Sequence, residues 1–535
     1  MKNLTTNTAL PFVRTQAANG IARTSLTVTN GEAPVGEAPV SAQPLATFIH
    51  LSDLHICDTQ SPARVEFLDR YADPDYPSRA IIDYVGTYRP QEFLTLQVLE
   101  AMVQSANQIQ AGPLLGKAID GVLITGDVID NGQANELGWY KQLLEGGPVA
   151  QQSGNPDVVE ASHATHPNFT DQHYYKPDSS DGQRSDEMFG MVQLPGLVDA
   201  AHSEFEATGL KHNWYAIHGN HDAMLQGTVG PDETLNAFVT GNQKLNAIIE
   251  GASLEEVFAP FTEVGPSGYP PMELMTTVEV TPDPTRRFVN MNDWVETHVN
   301  CEHDHGISAG ANHAYWTRDF NIDGQGGTVR VIALDTVNPW DGWQGCIDRT
   351  QFMWLSDVLD DSKDKYVVLT SHHPLVDLVN GYTPAGEDTP ALEAEVRELL
   401  GEHPNVILWV AGHVHDHNIG FAKAPEGDHG FWQIRTGSHM DWPQQSRVIE
   451  IAKTTDGRIA IGTVVFNHAG TPLLNLSELA SAKADDLENP LYLAGISRIL
   501  AANDWQRFAG REALEVLQGQ PEDRNAWLWL PDPLA

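Results

Sequence analysis

Residues 406–415 read VILWVAGHVH, an apolar run of strand length that ends in Gly-His-Val-His. Five other apolar runs of this kind end in polar residues. They are 46–51 before Ser52-Asp53-Leu54-His55, 121–125 before Gly126-Asp127, 214–217 before His218-Gly219-Asn220-His221-Asp222, 329–334 before Asp335, and 366–370 before Ser371-His372-His373-Pro374. Their Val, Ile and aromatic content favours β-strands. Because the runs are almost continuously apolar, we expect strands that are buried on both faces.

Helical patterns lie between these runs, most clearly over 93–109, where Leu96, Leu99 and Val103 recur at helical spacing. Strands that alternate with helices predict an α/β architecture. In such sheets, ligands bind beyond the carboxyl ends of the strands. Every polar cluster above would lie at that edge, so the sequence predicts one site built from several strand ends.

The chain divides into three regions by composition. Residues 1–44 are predicted to form an N-terminal arm, 45–470 the α/β domain, and 471–535 a helical C-terminal appendage. Within the domain, 447–452 and 459–466 flank Thr455-Asp456-Gly457 and predict a β-hairpin. A polar, aperiodic insertion at about 146–190 is expected to be either a surface loop or a cover over the site.

The side chains at the strand ends are typical metal ligands. Asp53 and His55 are two residues apart, so in an extended segment both can reach one ion. The remaining candidates are Asp127, Asn220, His372, His413 and His415. Carboxylates, an amide oxygen and imidazoles form a mixed oxygen and nitrogen site that suits Mn, Fe, Zn, Co or Ni. A carboxylate shared by two ions holds them ~3.5–4 Å apart.

Each motif has an ordinary structural interpretation. Asp-x-His triplets are mostly surface loops, Gly-Asp after a strand is usually a turn, and adjacent histidines are more often structural than ligating. With 45 Gly and 22 His in 535 residues, a Gly-His-x-His stretch arises roughly 0.08 times by chance. The five clusters occur together, in one order, each after an apolar run, and this combination favours a metal site.

The series DLH, GDVID, GNHD, SHHP and GHVH closely resembles the motifs of the calcineurin-like metallophosphoesterases. The resemblance spans roughly 45–466, most of the chain. It implies a four-layer α/β/β/α sandwich, in which two mixed β-sheets pack face to face with helices outside.

The resemblance also implies the role of each side chain. Asp53, His55 and His415 would bind the first metal, and Asp127 would bridge both metals. Asn220, His372 and His413 would bind the second metal. His372 is preferred to His373 because the family usually places this ligand two residues before the proline. The expected cofactors are two divalent metal ions, with Mn, Fe or Zn preferred.

The implied reaction is hydrolysis of a phosphate ester by in-line attack of a metal-bridging hydroxide. His221 would not bind metal but would face the substrate as a general acid, oriented by Asp222. The enzyme would be a phosphodiesterase or a phosphomonoesterase acting on a small-molecule ester.

Two departures from family patterns narrow the subfamily. Purple acid phosphatases have a tyrosine three residues after the Gly-Asp aspartate, where this chain has Asp130. The stretch GDVIDNG resembles instead the bacterial cyclic-nucleotide phosphodiesterase branch. Because the insertion between Asp127 and Asn220 is large and could remodel the pocket, cyclic nucleotides are one candidate among several.

Charge and composition limit the partners. The formal net charge is -41, which repels nucleic acid and anionic membranes at long range. A phosphate site therefore needs local positive charge, which bound metal ions would supply. No apolar run reaches the ~18 residues of a membrane span. The sequence therefore predicts neither nucleic-acid nor membrane binding.

The three cysteines, Cys57, Cys301 and Cys346, form no CxxC pair, which argues against a zinc–thiolate site and a disulfide framework. The apolar stretch 9–13 is too short for a signal-peptide core, and Arg14 and Arg23 do not form a twin-arginine signal. We therefore expect a cytoplasmic location.

Two alternatives belong to other classes. A non-catalytic metal-binding scaffold of the same fold is disfavoured because every ligand and His221 are retained. A nuclease is disfavoured by the net charge and by the lack of a Lys/Arg cluster. Two further stretches, 301–306 and 439–443, carry His and acidic residues and are expected at the rim of the pocket.

Overall fold

The computed structural model describes residues 12–16, 22–26, 32–73, 76–80, 82, 85–179, 190–299, 305–321, 326–505 and 514–535. The strands are β1 (Phe12–Gln16), β2 (Ala22–Leu26), β3 (Ala42–Leu51), β4 (Gly121–Ile124), β5 (Gly147–Val149), β6 (Phe205–Ala207), β7 (Trp214–Ala216), β8 (Gln243–Ile248), β9 (Met275–Glu279), β10 (Trp316–Phe320), β11 (Val329–Ala333), β12 (Tyr366–Thr370), β13 (Val406–Ala411), β14 (Asn418–Lys423), β15 (Gly430–Arg435), β16 (Gln445–Thr454), β17 (Arg458–Asn467) and β18 (Ala526–Pro531).

The α-helices are mostly short. They are α1 (Thr95–Gln108), α2 (Ala134–Glu145), α3 (Leu197–His202), α4 (Asn220–Ala223), α5 (Glu233–Val239), α6 (Leu254–Phe258), α7 (Met291–Val299), α8 (Arg349–Asp360), α9 (Glu393–Gly401), α10 (Leu476–Leu479), α11 (Ala484–Leu487), α12 (Pro490–Ala501), α13 (Leu514–Gln518) and α14 (Pro521–Arg524). No helix within the described ranges is long and apolar enough to cross a membrane.

Two six-stranded mixed sheets form the centre of the fold. The first sheet has the order β18-β17-β16-β3-β4-β7, and the second has the order β10-β11-β12-β13-β15-β14. In the first sheet β3, β4 and β7 are parallel, and in the second sheet β11, β12, β13 and β15 are parallel. The remaining neighbours pair antiparallel.

The two sheets pack face to face. Phe48 and Leu123 of the first sheet share one buried apolar cluster with Val331, Val368 and Val410 of the second. On the outer face of the first sheet, side chains of α1 and α2 form another cluster. On the outer face of the second sheet, α8 and α9 do the same. This layering confirms the predicted α/β/β/α class.

The predicted strands and hairpin are confirmed with small shifts at their ends. Tyr366–Thr370 forms a strand over the predicted residues, and the hairpin strands extend to Gln445–Thr454 and Arg458–Asn467. The helix predicted over 93–109 is Thr95–Gln108, preceded by a 3-10 turn at Glu92–Leu94. Helix α1 is buried on most sides, because α12 covers a face of it that the sheet does not.

The description of 471–535 as a helical appendage needs correction. Its helix α12 packs against α1, and its last strand, β18, pairs with β17 at the edge of the first sheet. Trp527 and Trp529 alternate with Ala526, Leu528 and Leu530, which face the core. This period-2 pattern of alternating residues is that of a half-buried edge strand.

The described residues of the N-terminal arm and of the insertion contact the rest of the domain. The backbone N–H of Val35 donates to Asn525 O at 2.8 Å, so the arm lies beside β18. In the insertion, Gln151 and Ser153 are buried and hydrogen-bond to the segment that follows β3, through Cys57 O and Asp58 Oδ1. The described part of the insertion therefore supports the loop after β3.

Candidate metal centre

The carboxyl ends of the parallel strands of both sheets meet at one place. Asp53 and His55 follow β3, Asp127 follows β4, and Asn220 follows β7. His372 follows β12, while His413 and His415 follow β13. The first sheet thus brings the acidic motifs and the amide, and the second sheet brings three histidines. The structure brings all seven predicted ligands together.

The first group of side chains surrounds His415. Its Nε2 atom lies 3.1 Å from His55 Nε2 and 3.4 Å from Asp53 Oδ1. Ligand atoms of Asp53, His55 and His415 all lie within 4.8 Å of one another, and all three residues are buried. This spacing suits one ion between them, since Zn–N and Zn–O bonds are about 2.0–2.2 Å long.

The second group surrounds His372. Its Nε2 atom lies 2.9 Å from Asn220 Oδ1 and 3.1 Å from His413 Nδ1. The Asn220 amide donates through Nδ2 to Gly227 O at 3.0 Å, which turns Oδ1 toward the histidines. An amide oxygen and two imidazole nitrogens therefore converge on a second point.

Asp127 lies between the two groups. Its Oδ2 atom is 3.1 Å from His372 Nε2 and 3.8 Å from His55 Nε2. Its Oδ1 atom accepts the backbone N–H of His221 at 2.8 Å, which fixes the carboxylate plane. The position between two ligand groups is the one that a bridging carboxylate needs.

The donor set fits divalent metal ions because the outer nitrogen of three histidines is already hydrogen-bonded. Nδ1 of His55 is 3.1 Å from Asp130 Oδ1, Nδ1 of His372 is 2.8 Å from Thr125 O, and Nδ1 of His415 is 2.6 Å from Asp441 Oδ2. Metal-binding histidines usually donate their other N–H to a carboxylate or a carbonyl. Each of these contacts leaves Nε2 directed toward the centre.

The electrostatics of the cluster also favour a cation. Burial lowers the pKa of His372, but Asp127 and Asp53 outweigh it and raise the pKa to about 9. Burial also lowers the pKa of His415, and Asp53 and Asp441 raise it to about 9. The buried carboxylates therefore draw positive charge into the cluster. A divalent ion would supply that charge and displace the imidazole protons.

The backbone of the ligand loops is strained. Of nine non-glycine residues with positive φ in the part of the chain that the structure describes, five are candidate ligands. These are Asp53 (52°), His55 (46°), Asp127 (48°), His413 (70°) and His415 (63°). Such conformations cost about 1–3 kcal/mol each and cluster at functional sites. The sharp turns direct side chains inward from the strand ends.

His373 could belong to the cluster by distance, since its ligand atom lies within 4.8 Å of those of His372 and His413. However, its Nδ1 is 2.9 Å from Thr336 Oγ1 and its Nε2 is 3.0 Å from Trp343 O. Both nitrogens are therefore engaged outside the centre, which supports the choice of His372.

His221 lies at the edge of the cluster, with 20% of its side chain exposed. Its ring meets that of His55 edge to face, with centroids 4.5 Å apart. Burial lowers the pKa of His221, but Asp127 and Asp130 outweigh it and raise the pKa above its usual value. A protonated imidazole next to the metal positions can act as a general acid.

The predicted role of Asp222 is wrong. Its carboxylate accepts backbone N–H groups of Val128 (2.8 Å), Ile129 (3.1 Å) and Gly219 (2.8 Å), and it holds the loops after β4 and β7 together. His221 is oriented by Asp130 instead, because its Nδ1 lies 2.8 Å from Asp130 O. In the helical turn of α4, Asp222 points back to the helix start, where it accepts the N–H of Gly219.

Sequence reasoning missed two supporting carboxylates. Asp130 contacts His55 and His221 and is paired with the buried Arg64, which also bonds Glu92 at 3.0 Å. The second is Asp441, which hydrogen-bonds His415 and was expected only at the rim. It is 1% exposed. Because Asp130 follows Asp127 by only three residues, the sequence could have indicated its place beside the metal centre. Nothing in the sequence links Asp441 to His415.

The stretch 301–306 falls mostly outside the described residues, since 301–304 are not described. His305 lies within the described part and is buried, with its Nδ1 near Trp214 O. It packs in the outer core of the first sheet beside Trp214, with centroids 3.4 Å apart. This position is away from the cluster and differs from the rim position that we expected.

Comparison with known families agrees with the fold and the geometry. Residues 196–417 match the profile of the family described as calcineurin-like phosphoesterase. This region of the chain is therefore identified as a calcineurin-like phosphoesterase domain. Asn220, His372, His413 and His415 lie within the matched range, while Asp53, His55 and Asp127 precede it. A domain of this kind indicates metal-dependent hydrolysis of phosphate esters as the class of activity.

No curated protein sequence matches this chain. A solved structure described as "GAP50 the anchor in the inner membrane complex of Plasmodium" is similar, with 10% sequence identity and a TM-score of 0.27. The similarity covers 81% of this chain and 89% of that chain. At this identity and TM-score we draw nothing from it.

Proposed function

We propose that this protein is an enzyme that hydrolyses small-molecule phosphate esters with two divalent metal ions. The observation that carries the proposal is the position of Asp127 between two groups of ligands, 3.1 Å from His372 and 3.8 Å from His55. A single structural ion would not need two such groups. The proposal covers phosphomonoesters and phosphodiesters, and cyclic nucleotides are one candidate.

Each side chain has a role in this proposal. Asp53, His55 and His415 would hold one ion, Asn220, His372 and His413 would hold the other, and Asp127 lies where it could contact both. The mixed oxygen and nitrogen donors suit Mn, Fe or Zn. When bound, the two ions would polarise the phosphoryl group and activate water at neutral pH.

His221 supplies the proton for the leaving oxygen. Its Nδ1 donates to Asp130 O, so in the protonated imidazole the proton that can be transferred is the one on Nε2. The charges of Asp127 and Asp130 keep the pKa of the imidazole above its usual value. Partial exposure of the ring allows a substrate to reach it. General acid catalysis of this kind contributes about 10²–10⁴-fold to a rate.

The positioning of His221 depends on the loop that follows α4. Gly227 lies against the imidazole, because a Cβ atom at this position would be 2.2 Å from His221 Cδ2 and 2.4 Å from Asn220 Nδ2. The carbonyl of Gly227 also accepts the Asn220 amide at 3.0 Å. One glycine thus positions a ligand and the proton donor together.

The proposal is tested by metal analysis and by assays of p-nitrophenyl phosphate and bis(p-nitrophenyl) phosphate with Mn, Fe or Zn, with and without chelator. We expect about two metal ions per chain and chelator-sensitive hydrolysis of at least one ester. Asp127→Asn should reduce hydrolysis to background and lower the metal content. Asp364→Asn, at a side chain that is 84% exposed, should change neither.

Full activity in Asp127→Asn would contradict the assignment of the bridging carboxylate. Absence of hydrolysis of both esters in all three metals, in a protein that still binds metal, would favour the non-catalytic scaffold. Cleavage of single-stranded DNA in preference to both small esters would favour the nuclease.

A further inference from the structure

Three aromatic side chains lie exposed on two neighbouring loops. Trp340 and Trp343, between β11 and α8, are 38% and 39% exposed, and Tyr382, after β12, is 43% exposed. We call these three residues the aromatic rim. Tryptophan is a largely buried residue in most proteins. Contiguous exposed apolar surface often marks a binding site, whereas single exposed apolar residues are common.

The aromatic rim adjoins the metal centre through Trp343. Its ring centroid is 5.8 Å from that of His413, and the two rings are 24° from parallel. His413 is one of the candidate ligands, so the exposed indole lies one ring away from the second metal position. A group attached to a phosphate at that position would reach the indole.

The loops of the aromatic rim are held by hydrogen bonds. Asn338 Nδ2 donates to Tyr382 O at 3.1 Å, and Asn338 Oδ1 accepts the N–H of Trp340 at 2.8 Å. Asn380 Nδ2 donates to Asp341 O at 2.9 Å. One amide therefore links the backbones of Trp340 and Tyr382. These hydrogen bonds fix the positions of the two loop backbones that carry the exposed side chains.

Backbone strain lies between the two tryptophans. Asp341 has φ of 105°, a costly value for a residue other than glycine. Its carboxylate accepts the N–H of Gly230 at 3.1 Å and that of Gly342 at 2.6 Å, which maintains the turn. Backbone strain and exposed apolar rings both reduce the stability of the folded protein. This conformation of the loop is therefore better explained by ligand binding.

The charge around the rim limits what can bind there. The segments 224–232, 259–274, 338–346 and 375–392 contain no Lys or Arg. They carry Glu263, Asp341 and Asp377, among other acidic residues. Each of the other three segments is hydrogen-bonded to 338–346. The bonds are Gly230–Asp341, Gln344–Glu263 and Asn380–Asp341. A polyphosphate or a nucleic-acid backbone would be repelled here.

We infer that Trp343, on the same pair of loops as Trp340 and Tyr382, stacks against a planar, uncharged ring of the phosphate ester while its phosphoryl group lies at the metal centre. This inference rests on the proposed function and names its substrate class. The ring is either an aryl group or a nucleobase carried by a single phosphate. Stacking of aromatic rings in offset geometry adds attraction beyond simple burial.

The experiment measures binding, not turnover. The metal-loaded protein is titrated by calorimetry with methylphosphonate, cyclohexylphosphonate and phenylphosphonate, which share the phosphoryl end and differ in the attached group. We expect phenylphosphonate to bind about 2- to 10-fold more tightly than cyclohexylphosphonate. Trp343→Ala should abolish this preference, and Trp343→Phe should retain most of it.

Matched controls separate the rim from general effects. Phe421→Ala removes a ring that is 44% exposed on β14 and should leave the preference unchanged. Adenosine 5′-monophosphate against ribose 5-phosphate repeats the comparison with a nucleobase. A larger ratio for this pair than for phenyl against cyclohexyl assigns the ring to a nucleobase, and a smaller ratio assigns it to an aryl group.

The inference is overturned if phenyl- and cyclohexylphosphonate bind equally, or if Trp343→Ala retains the preference. In both cases methylphosphonate still binds, and the proposed function stands. Lack of binding by all three phosphonates, together with lack of hydrolysis, overturns both. Preference for the planar ring in a protein without hydrolytic activity supports the inference and contradicts the catalytic proposal.

Discussion

The metal centre and the aromatic rim are neighbours with opposite character. In the metal centre, charged side chains such as Asp53 and His372 are fully buried, and Asp127 is 2% exposed. In the rim, apolar rings are exposed and lie on loops without basic residues. Both regions contain strained backbone, at five ligands and at Asp341. The difference agrees with our two proposals, in which the metal centre performs the chemistry and the rim selects the substrate.

The boundary between them runs between two adjacent residues. His372 directs Nε2 to Asn220, Asp127 and His413. His373 directs Nε2 to the carbonyl of Trp343. One dipeptide at the end of β12 therefore connects the metal centre with the rim, and substitutions in it can separate their functions.

The largest expected effect comes from that dipeptide. His372→Ala should lose one of two metal ions and reduce kcat to the level of the metal-free protein, because it removes the central nitrogen of the second group. His373→Ala should keep both ions and weaken binding of planar rings, because it releases Trp343 O. Metal content and phosphonate titration measure the two results. Equal metal loss in both variants would contradict the separate roles that we assign to His372 and His373.

The next effect concerns the proton donor. His221→Asn should lower kcat by about 10²–10⁴-fold for esters with poor leaving groups, since general acid catalysis is lost. The loss should be small for p-nitrophenyl esters, whose leaving group needs no proton. Metal content and the phenyl preference should not change. A loss that is independent of the leaving group would point to a role other than proton donation.

Gly227→Ala should have an intermediate effect. The added Cβ would meet His221 and Asn220 at 2.2 Å and 2.4 Å, and misplacement of a catalytic group by 1 Å can cost about 10²-fold in rate. Gly116→Ala is the control, because Gly116 also has positive φ (76°) but has no heavy atom of another residue near its Cβ position. Both variants should lose about 1–2 kcal/mol of stability, and only the first should lose kcat.

The smallest effect is on stability and comes from Glu136, a buried residue in the first turn of α2. Burial, followed by the charge of Asp130, raises the pKa of Glu136 from 4.5 to about 8. A raised pKa means that its contribution to stability is present below pH 4.5 and is lost as the pH rises toward 8. Glu136→Gln does not titrate, so its destabilisation relative to wild type should shrink over that window.

Denaturant unfolding at pH 5, 6.5 and 8 measures this change, with a slope of up to about 1.4 kcal/mol per pH unit. A difference between the two proteins that is constant with pH would show that Glu136 does not titrate in this range. The aromatic rim offers a comparison, since Tyr382→Ala should shift stability by a pH-independent amount.

Much of the fold was predictable because the strands are short, apolar and locally encoded. Tyr366–Thr370 was found over the predicted residues, since burial on both faces leaves a continuous apolar run. The C-terminal strand β18 was not predicted. Its sequence alternates tryptophans with smaller apolar residues but does not show which strand it pairs with. The structure shows that β17 provides the partner for its backbone hydrogen bonds.

The metal ligands of the site were predictable from the sequence, but the side chains that support them were not. The ligands follow strand ends, so their motifs were visible, and the structure brings all seven together. The partner of His221 was assigned to Asp222, its neighbour in sequence, but the backbone turn of α4 directs that carboxylate to three N–H groups. Asp441 was missed because 26 residues separate it from His415.

The sequence by itself determined the α/β class of the fold, the metal-ligand motifs and the positions of the central strands along the chain. These properties depend on residue type and local periodicity, which each segment carries alone. Only the tertiary structure decided which nitrogen of His373 meets Trp343, which carboxylate orients His221, and where the aromatic rim lies. Those contacts join segments far apart in the chain, and their geometry depends on how the two sheets and their loops pack.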